Sequence, residues 1–111
     1  MKLSPNTYKH CDLIKIEGRV DSSTAPQLAE ALNTITDNGR YRIVLDFSKV
    51  EFISSAGLRV LINTQKNCKR YNRGEVVLAE LPKNIYAALD LAGFTMLFKI
   101  FDNVIEAVAS F

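Results

Sequence analysis

Two adjacent serines, Ser54 and Ser55, head the run Ser54-Ser55-Ala56-Gly57-Leu58-Arg59-Val60-Leu61. The apolar spacing after them is helical, so both hydroxyls lie where a helix leaves N–H groups unpaired and its dipole is positive. A hydroxyl in that place can cap the helix, attack an electrophile, or carry a phosphate. Attack needs a base within hydrogen-bond reach, normally an imidazole oriented by an acid. His10 is the one imidazole in the chain, and no G-x-S-x-G accompanies the serines. The chain is not expected to be an enzyme.

Other chemistries lack their residues. The five glycines, at 18, 39, 57, 74 and 93, are all isolated, so neither G-x-x-x-x-G-K-[ST] nor G-x-G-x-x-G occurs. Asp46 is a lone acid followed by Phe47, without the acidic cluster of a Mg²⁺-dependent phospho-acceptor. Cys11 and Cys68 form no C-x-x-C, and His10 beside Cys11 is short of the three or four ligands a metal needs. No metal and no cofactor is expected, and both cysteines read as reduced, small apolar residues.

Fourteen basic and twelve acidic residues leave a charge of +2, too little to argue for nucleic acid. Lys66, Lys69, Arg70 and Arg73 gather near the middle and read as a solvated helix end favoured by the dipole. Met1–Asn6 lacks the apolar core of a signal peptide, and no apolar run approaches the length of a membrane span. A cytoplasmic protein is expected.

The elements that must position the serines follow one another with short punctuation. With 111 residues, the chain is read as one domain, 1–111. A weak strand around Lys2–Lys9 precedes a β-branched one over Asp12–Val20. Thr24-Ala25-Pro26-Gln27 has the pattern of a capping box, opening a helix with Leu28, Ala31, Leu32 and Ile35 on one face and Asn38-Gly39 at its end. Tyr41–Phe47 is nearly all apolar, as a strand buried on both faces is. Ser48–Ile53 reads as a connection to the serine-capped helix, which carries Leu58, Leu61, Ile62 and Gln65 on one face. Glu75–Leu81 predicts a strand, Ile85–Ala92 a short helix closed by Gly93, and Met96–Phe101 a last strand. Asn103 with Glu106 makes a capping box for a C-terminal helix. Alternation of this kind predicts an α/β domain with a largely parallel sheet, its sites in loops leaving the carboxyl ends of strands. Asp21–Thr24 and Ser48–Gly57 both leave from such ends and should be neighbours.

One cap is enough for one helix, and Ser54 is the natural one; its loss removes about 1 kcal/mol. The second hydroxyl is left over, and Gly57 would let another chain approach the first turn closely. A phosphate on the spare hydroxyl brings about −1.5 to −2 charge to a positive helix end. The domain tolerates it there, whereas a tight, desolvated contact at the same spot does not.

The run Asp46-Phe47-Ser48-x-Val50-x-Phe52-Ile53-Ser54-Ser55-Ala56-Gly57-Leu58-Arg59-Val60-Leu61 resembles the signature of the bacterial anti-sigma factor antagonists, in the STAS domain family. Gly18-Arg19-Val20-Asp21 with Thr24-Ala25, and Leu91-Ala92-Gly93-Phe94 with Phe98-Lys99-Ile100, extend the resemblance over nearly the whole chain. It implies a four- to five-stranded mixed sheet with about four helices, and a partner switch. The unphosphorylated antagonist binds an anti-sigma factor that is also a serine kinase, freeing a sigma factor; phosphorylation breaks the complex and a PP2C-type phosphatase restores it. Matched residue by residue, the phosphorylated position is Ser55, with Ser54 as a minor alternative. The implied partner surface is Asp21, Ser22, Ser23 and Thr24 with Ser54, Ser55, Ala56, Gly57, Leu58 and Arg59. The chain departs from the pattern at Ser54, often Asp, and at Ala56, often Ser. Two other uses of the same fold remain open: a STAS subunit of a transport or sensory assembly, and a module sensing a nucleotide or lipid near Asp21.

Overall fold

A computed structural model describes all residues, Met1–Phe111. Five strands form one sheet in the order of the chain: β1 (Lys2–Thr7), β2 (Asp12–Val20), β3 (Arg42–Ile53), β4 (Glu75–Ala79) and β5 (Lys99–Phe101). β1 runs antiparallel to β2, and every later pair is parallel. The helices are α1 (Ala25–Asp37), α2 (Ser55–Lys69), α3 (Lys83–Leu91) and α4 (Val104–Ala109), with 3₁₀ turns at Arg70–Asn72 and Thr95–Leu97. The expected mixed sheet with four helices is what the chain forms.

Alternation along the strands divides the core in two. Ile14, Ile16, Ile43, Leu45, Phe47, Val76 and Leu78 point to the face covered by α1, α2 and α3. Leu13, Val44, Val77 and Ala79 point the other way, onto Ala107 of α4. Both faces of β3 are thus dry at its start, which is why Ile43–Leu45 reads as a continuous apolar run. Pro5 is accommodated because β1 is an edge strand with one neighbour.

Three expectations need correction. β3 does not stop at Phe47 but continues to Ile53, pairing with β2 alone after β4 ends opposite Asp46. Two irregularities in that pairing give β3 extra residues, so its buried positions fall at Phe47, Val50 and Ile53 instead of alternating. Gly18, with φ of +98°, sits at one of these bulges. At the other end of the sheet, β5 is only Lys99–Phe101, and Thr95–Leu97 turns as a 3₁₀ segment. β4 likewise stops at Ala79, because Glu80 takes a left-handed φ of +57° and its side chain accepts from the Val104 N–H.

Gln65 closes the gap where β5 falls short. Its buried amide oxygen accepts from the Val76 N–H at 2.6 Å, and its nitrogen donates to the carbonyls of Val76 at 3.1 Å and Leu97 at 2.8 Å. One helix side chain therefore serves backbone groups of β4 that no strand reaches. Replacing Gln65 by Met keeps the volume but leaves these groups buried and unpaired, so urea unfolding should show a loss of about 2–4 kcal/mol; a loss below about 0.5 kcal/mol would show that water or a rearranged turn replaces the amide.

Candidate functional site

The paired ends of β2 and β3 project past β4 and carry two loops side by side. Val20 pairs with Ile53, and the Ser54 N–H donates to the Val20 carbonyl at 2.8 Å. The expected proximity of Asp21–Thr24 to the head of α2 is therefore present.

Asp21 organises the first loop. Its carboxylate accepts from the Ser23 N–H at 3.0 Å, the Ser23 hydroxyl at 2.7 Å and the Thr24 N–H at 3.2 Å. Hydrogen bonding, chiefly from the Ser23 side chain, holds the Asp21 carboxyl below its ordinary value of 3.8. Thr24 does not cap α1 with its hydroxyl as the sequence pattern suggests. That hydroxyl turns back to donate to the Arg19 carbonyl at 3.0 Å and accepts from the Asp21 N–H at 2.9 Å. The Gln27 N–H that a Thr24 cap would serve bonds the Thr24 backbone carbonyl at 3.0 Å instead, and the Thr24 hydroxyl ties the loop to the end of β2. Ser22 and Ser23 are exposed.

The two serines of the second loop divide as the single-cap argument requires. Ser54 is the N-cap, with extended backbone and its oxygen accepting from the Gly57 N–H at 3.3 Å. Ser55 is the first helical residue; its side chain is exposed and plays no part in the cap.

Gly57 has a different role from the one read in the sequence. A Cβ on it would lie 2.7 Å from Val20 Cγ1 and 2.9 Å from Ile53 Cγ1. The close approach it permits is that of the domain's own strands, not of a second chain. Leu58 is also buried, only 8% exposed, and belongs to the core. The outward face of the first turn is thus Ser55 and Arg59, flanked by half-buried Ser54 and Ala56.

The structure adds neighbours that sequence reasoning did not single out. Arg19 and Phe52, directly paired across β2 and β3, form a cation–π contact at 4.4 Å on the projecting arm. Both are exposed. Their opposition depends on the bulged register, which no local pattern reports. Asn84, in the first turn of α3, donates to the Glu51 carbonyl at 3.1 Å and fastens the free side of the same arm.

Both cysteines are buried, whereas His10 is exposed. Burial pushes the Cys68 thiol up to about 11, and burial together with Asp12 raises Cys11. No three His, Cys, Asp or Glu side chains converge as a metal site would need. No helix is long and apolar enough to cross a membrane.

A family model described as the STAS domain matches residues 3–107. BtrV of Bordetella bronchiseptica, a protein assigned to the anti-sigma factor antagonists, is 33% identical over 111 residues, spanning 100% of this chain and 95% of that one. A Thermotoga maritima structure with the same assignment superposes with a TM-score of 0.90 at 20% identity, over 97% of this chain and 92% of that one. The Bacillus anti-sigma factor antagonist SpoIIAA, solved in its unphosphorylated form, gives a TM-score of 0.83 at 13% identity, over 96% and 93% of the two chains. At those identities the two structures speak for the fold alone.

The unequal serines make a direct test of the site's local energetics. Ser54→Ala should lower unfolding free energy by about 1 kcal/mol through the lost cap, whereas Ser55→Ala should stay within about 0.5 kcal/mol of wild type. Chemical denaturation of both variants checks this, and equal losses would mean that the cap is shared. Gly57→Ala should destabilise by about 1–3 kcal/mol despite the better helix propensity of alanine, because its methyl group collides with β2 and β3.

Proposed function

Because the chain belongs to the STAS domain family and is homologous to anti-sigma factor antagonists, we propose that it works as a phosphorylation-gated partner switch. Unphosphorylated, it binds an anti-sigma factor with serine kinase activity and so releases a sigma factor for transcription. Phosphorylation of Ser55 ends that complex, and a PP2C-type phosphatase restores it. The binding surface is the Asp21–Thr24 loop with the outward part of the first turn of α2: Ser54, Ser55, Ala56 and Arg59. Gly57 and Leu58 shape that surface from beneath.

The observation that carries this reading is the division between two adjacent hydroxyls, one committed to the cap and one exposed. Ser55 can take a phosphate without disturbing the Ser54–Gly57 hydrogen bond. Its place at a helix N-terminus favours an anion by about 0.3–1 kcal/mol. The same dianion set into a closely packed, desolvated interface has no comparable compensation. A loss of about 3–4 kcal/mol there corresponds to roughly a 100- to 1,000-fold fall in affinity. The domain therefore keeps its fold while the complex is lost.

Labelling with radioactive ATP and the kinase-type anti-sigma factor from the same genome tests the assignment. Ser55→Ala should abolish incorporation and Ser54→Ala should retain it; labelling that survives Ser55→Ala sinks the proposal. Ser55→Asp should weaken binding of the same kinase by about 100-fold or more, read by titration calorimetry.

A further inference from the structure

No acidic residue occurs between Ser54 and Gly74, whereas α2 carries Arg59, Lys66 and Lys69, with Arg70 directly after it. The ion pairs of the molecule are Lys2–Glu17, Arg40–Asp12 and Lys99–Glu75, so none of these four cations is paired. Ser55, Arg59, Ile62, Lys66 and Lys69 follow at steps of four and three, which aligns them as one stripe along the helix. All are exposed except Ile62, which is half-buried.

Beside the lower half of that stripe lies a groove of about 420 Å³ between α2 and the Thr95–Leu97 turn, lined by Ile62, Gln65, Lys66, Lys69, Arg70 and Leu97. Leu97 is 44% exposed and the adjoining Met96 92%. The Gln65 amide is fully used by backbone groups, so it offers the groove no free polar atom. The helix dipole accounts for cations in the last turn but not for Arg59, which sits near the positive end. Nor does it account for the apolar side chains left in water.

We propose that this stripe and groove dock an acidic amphipathic helix of the partner protein. Its apolar side rests on Ile62 and Leu97, and its carboxylates face Arg59, Lys66, Lys69 and Arg70. The inference rests on the partner-switch reading and names the partner's chemistry. A phosphate on Ser55 stands at the head of the stripe, one turn from Arg59. It neutralises Arg59 and sets negative charge against the incoming carboxylates. A concave groove with no aromatic ring in its lining suits a helix better than a bilayer surface or stacked bases.

The test uses the full isotope-labelled chain and a synthetic helical peptide with Leu on one face and Glu on the other. Saturable amide shift changes should centre on Arg59–Arg70 and Met96–Leu97, and should fade at high salt. Replacing Lys66, Lys69 and Arg70 together by Glu should weaken binding about tenfold or more, and the milder pair Lys66→Gln with Lys69→Gln about threefold. Ser55→Asp should also weaken it, because it adds negative charge at the head of the stripe. A peptide carrying Lys in place of Glu should not bind. No saturable binding, shifts centred on another surface, or undiminished affinity in the charge variants overturns the proposal. Perturbation of these residues by phosphatidylglycerol vesicles but not by the acidic peptide also overturns it, in favour of a membrane. The peptide assay involves no kinase, so its failure leaves phosphorylation of Ser55 standing, and a failed labelling experiment leaves the docking result standing.

Discussion

Val20 and Ile53 lie side by side at the ends of β2 and β3, and the first turn of α2 rests on both through Gly57. The rest of the site follows from that contact. It fixes where the helix begins, so Ser54 falls at the cap and Ser55 one residue beyond it. It requires β3 to outrun β4, since only a strand pair projecting past its neighbour can carry two loops clear of the sheet. It also brings the Asp21 loop alongside, held to the end of β2 by the Thr24 hydroxyl.

Around this contact, polar groups already engaged within the domain lie next to groups left free. Asp21 spends its carboxylate on its own loop, Ser54 on the helix, and Asn84 on the arm. Ser55, Arg59 and the cations further down α2 are left to solvent. A rigid surround of this kind lowers the entropy lost when a partner orders the surface. It also confines charge complementarity to one side of one helix.

Much of the fold was legible because its signals are local. The order of elements, the burial of Ile43–Phe47, the cap at Ser54 and the cap at Asn103, whose side chain accepts from the Glu106 N–H at 2.8 Å, all follow from short-range patterns. The errors over β3 and β5 fall where a distant strand decides. Ser48–Ile53 lost its alternation to bulges set by β2, so a strand looked like a loop. Met96 and Leu97 have strand-forming neighbours, but β5 pairs with β4 only from Val77 onward, and Gln65 occupies the place before it. Thr24 looked like a cap, but its hydroxyl turns back to the Arg19 carbonyl and the Asp21 N–H, and the Gln27 N–H bonds a backbone carbonyl instead. Gly57 was singled out correctly as a close approach, but sequence spacing could not say that the approaching group was Val20.

α2 is held at both ends, by Ser54 to the Val20 carbonyl and by Gln65 to β4. A helix fastened in this way cannot slide or roll to relieve a charge placed on its first turn. The information in such a charge would stay where it was written, with no second shape of the domain needed to express it. A binding protein would have to read it by touch, at the surface itself. The speed of signalling would then be set by the enzymes that add and remove the mark, because no slow rearrangement of the carrier intervenes.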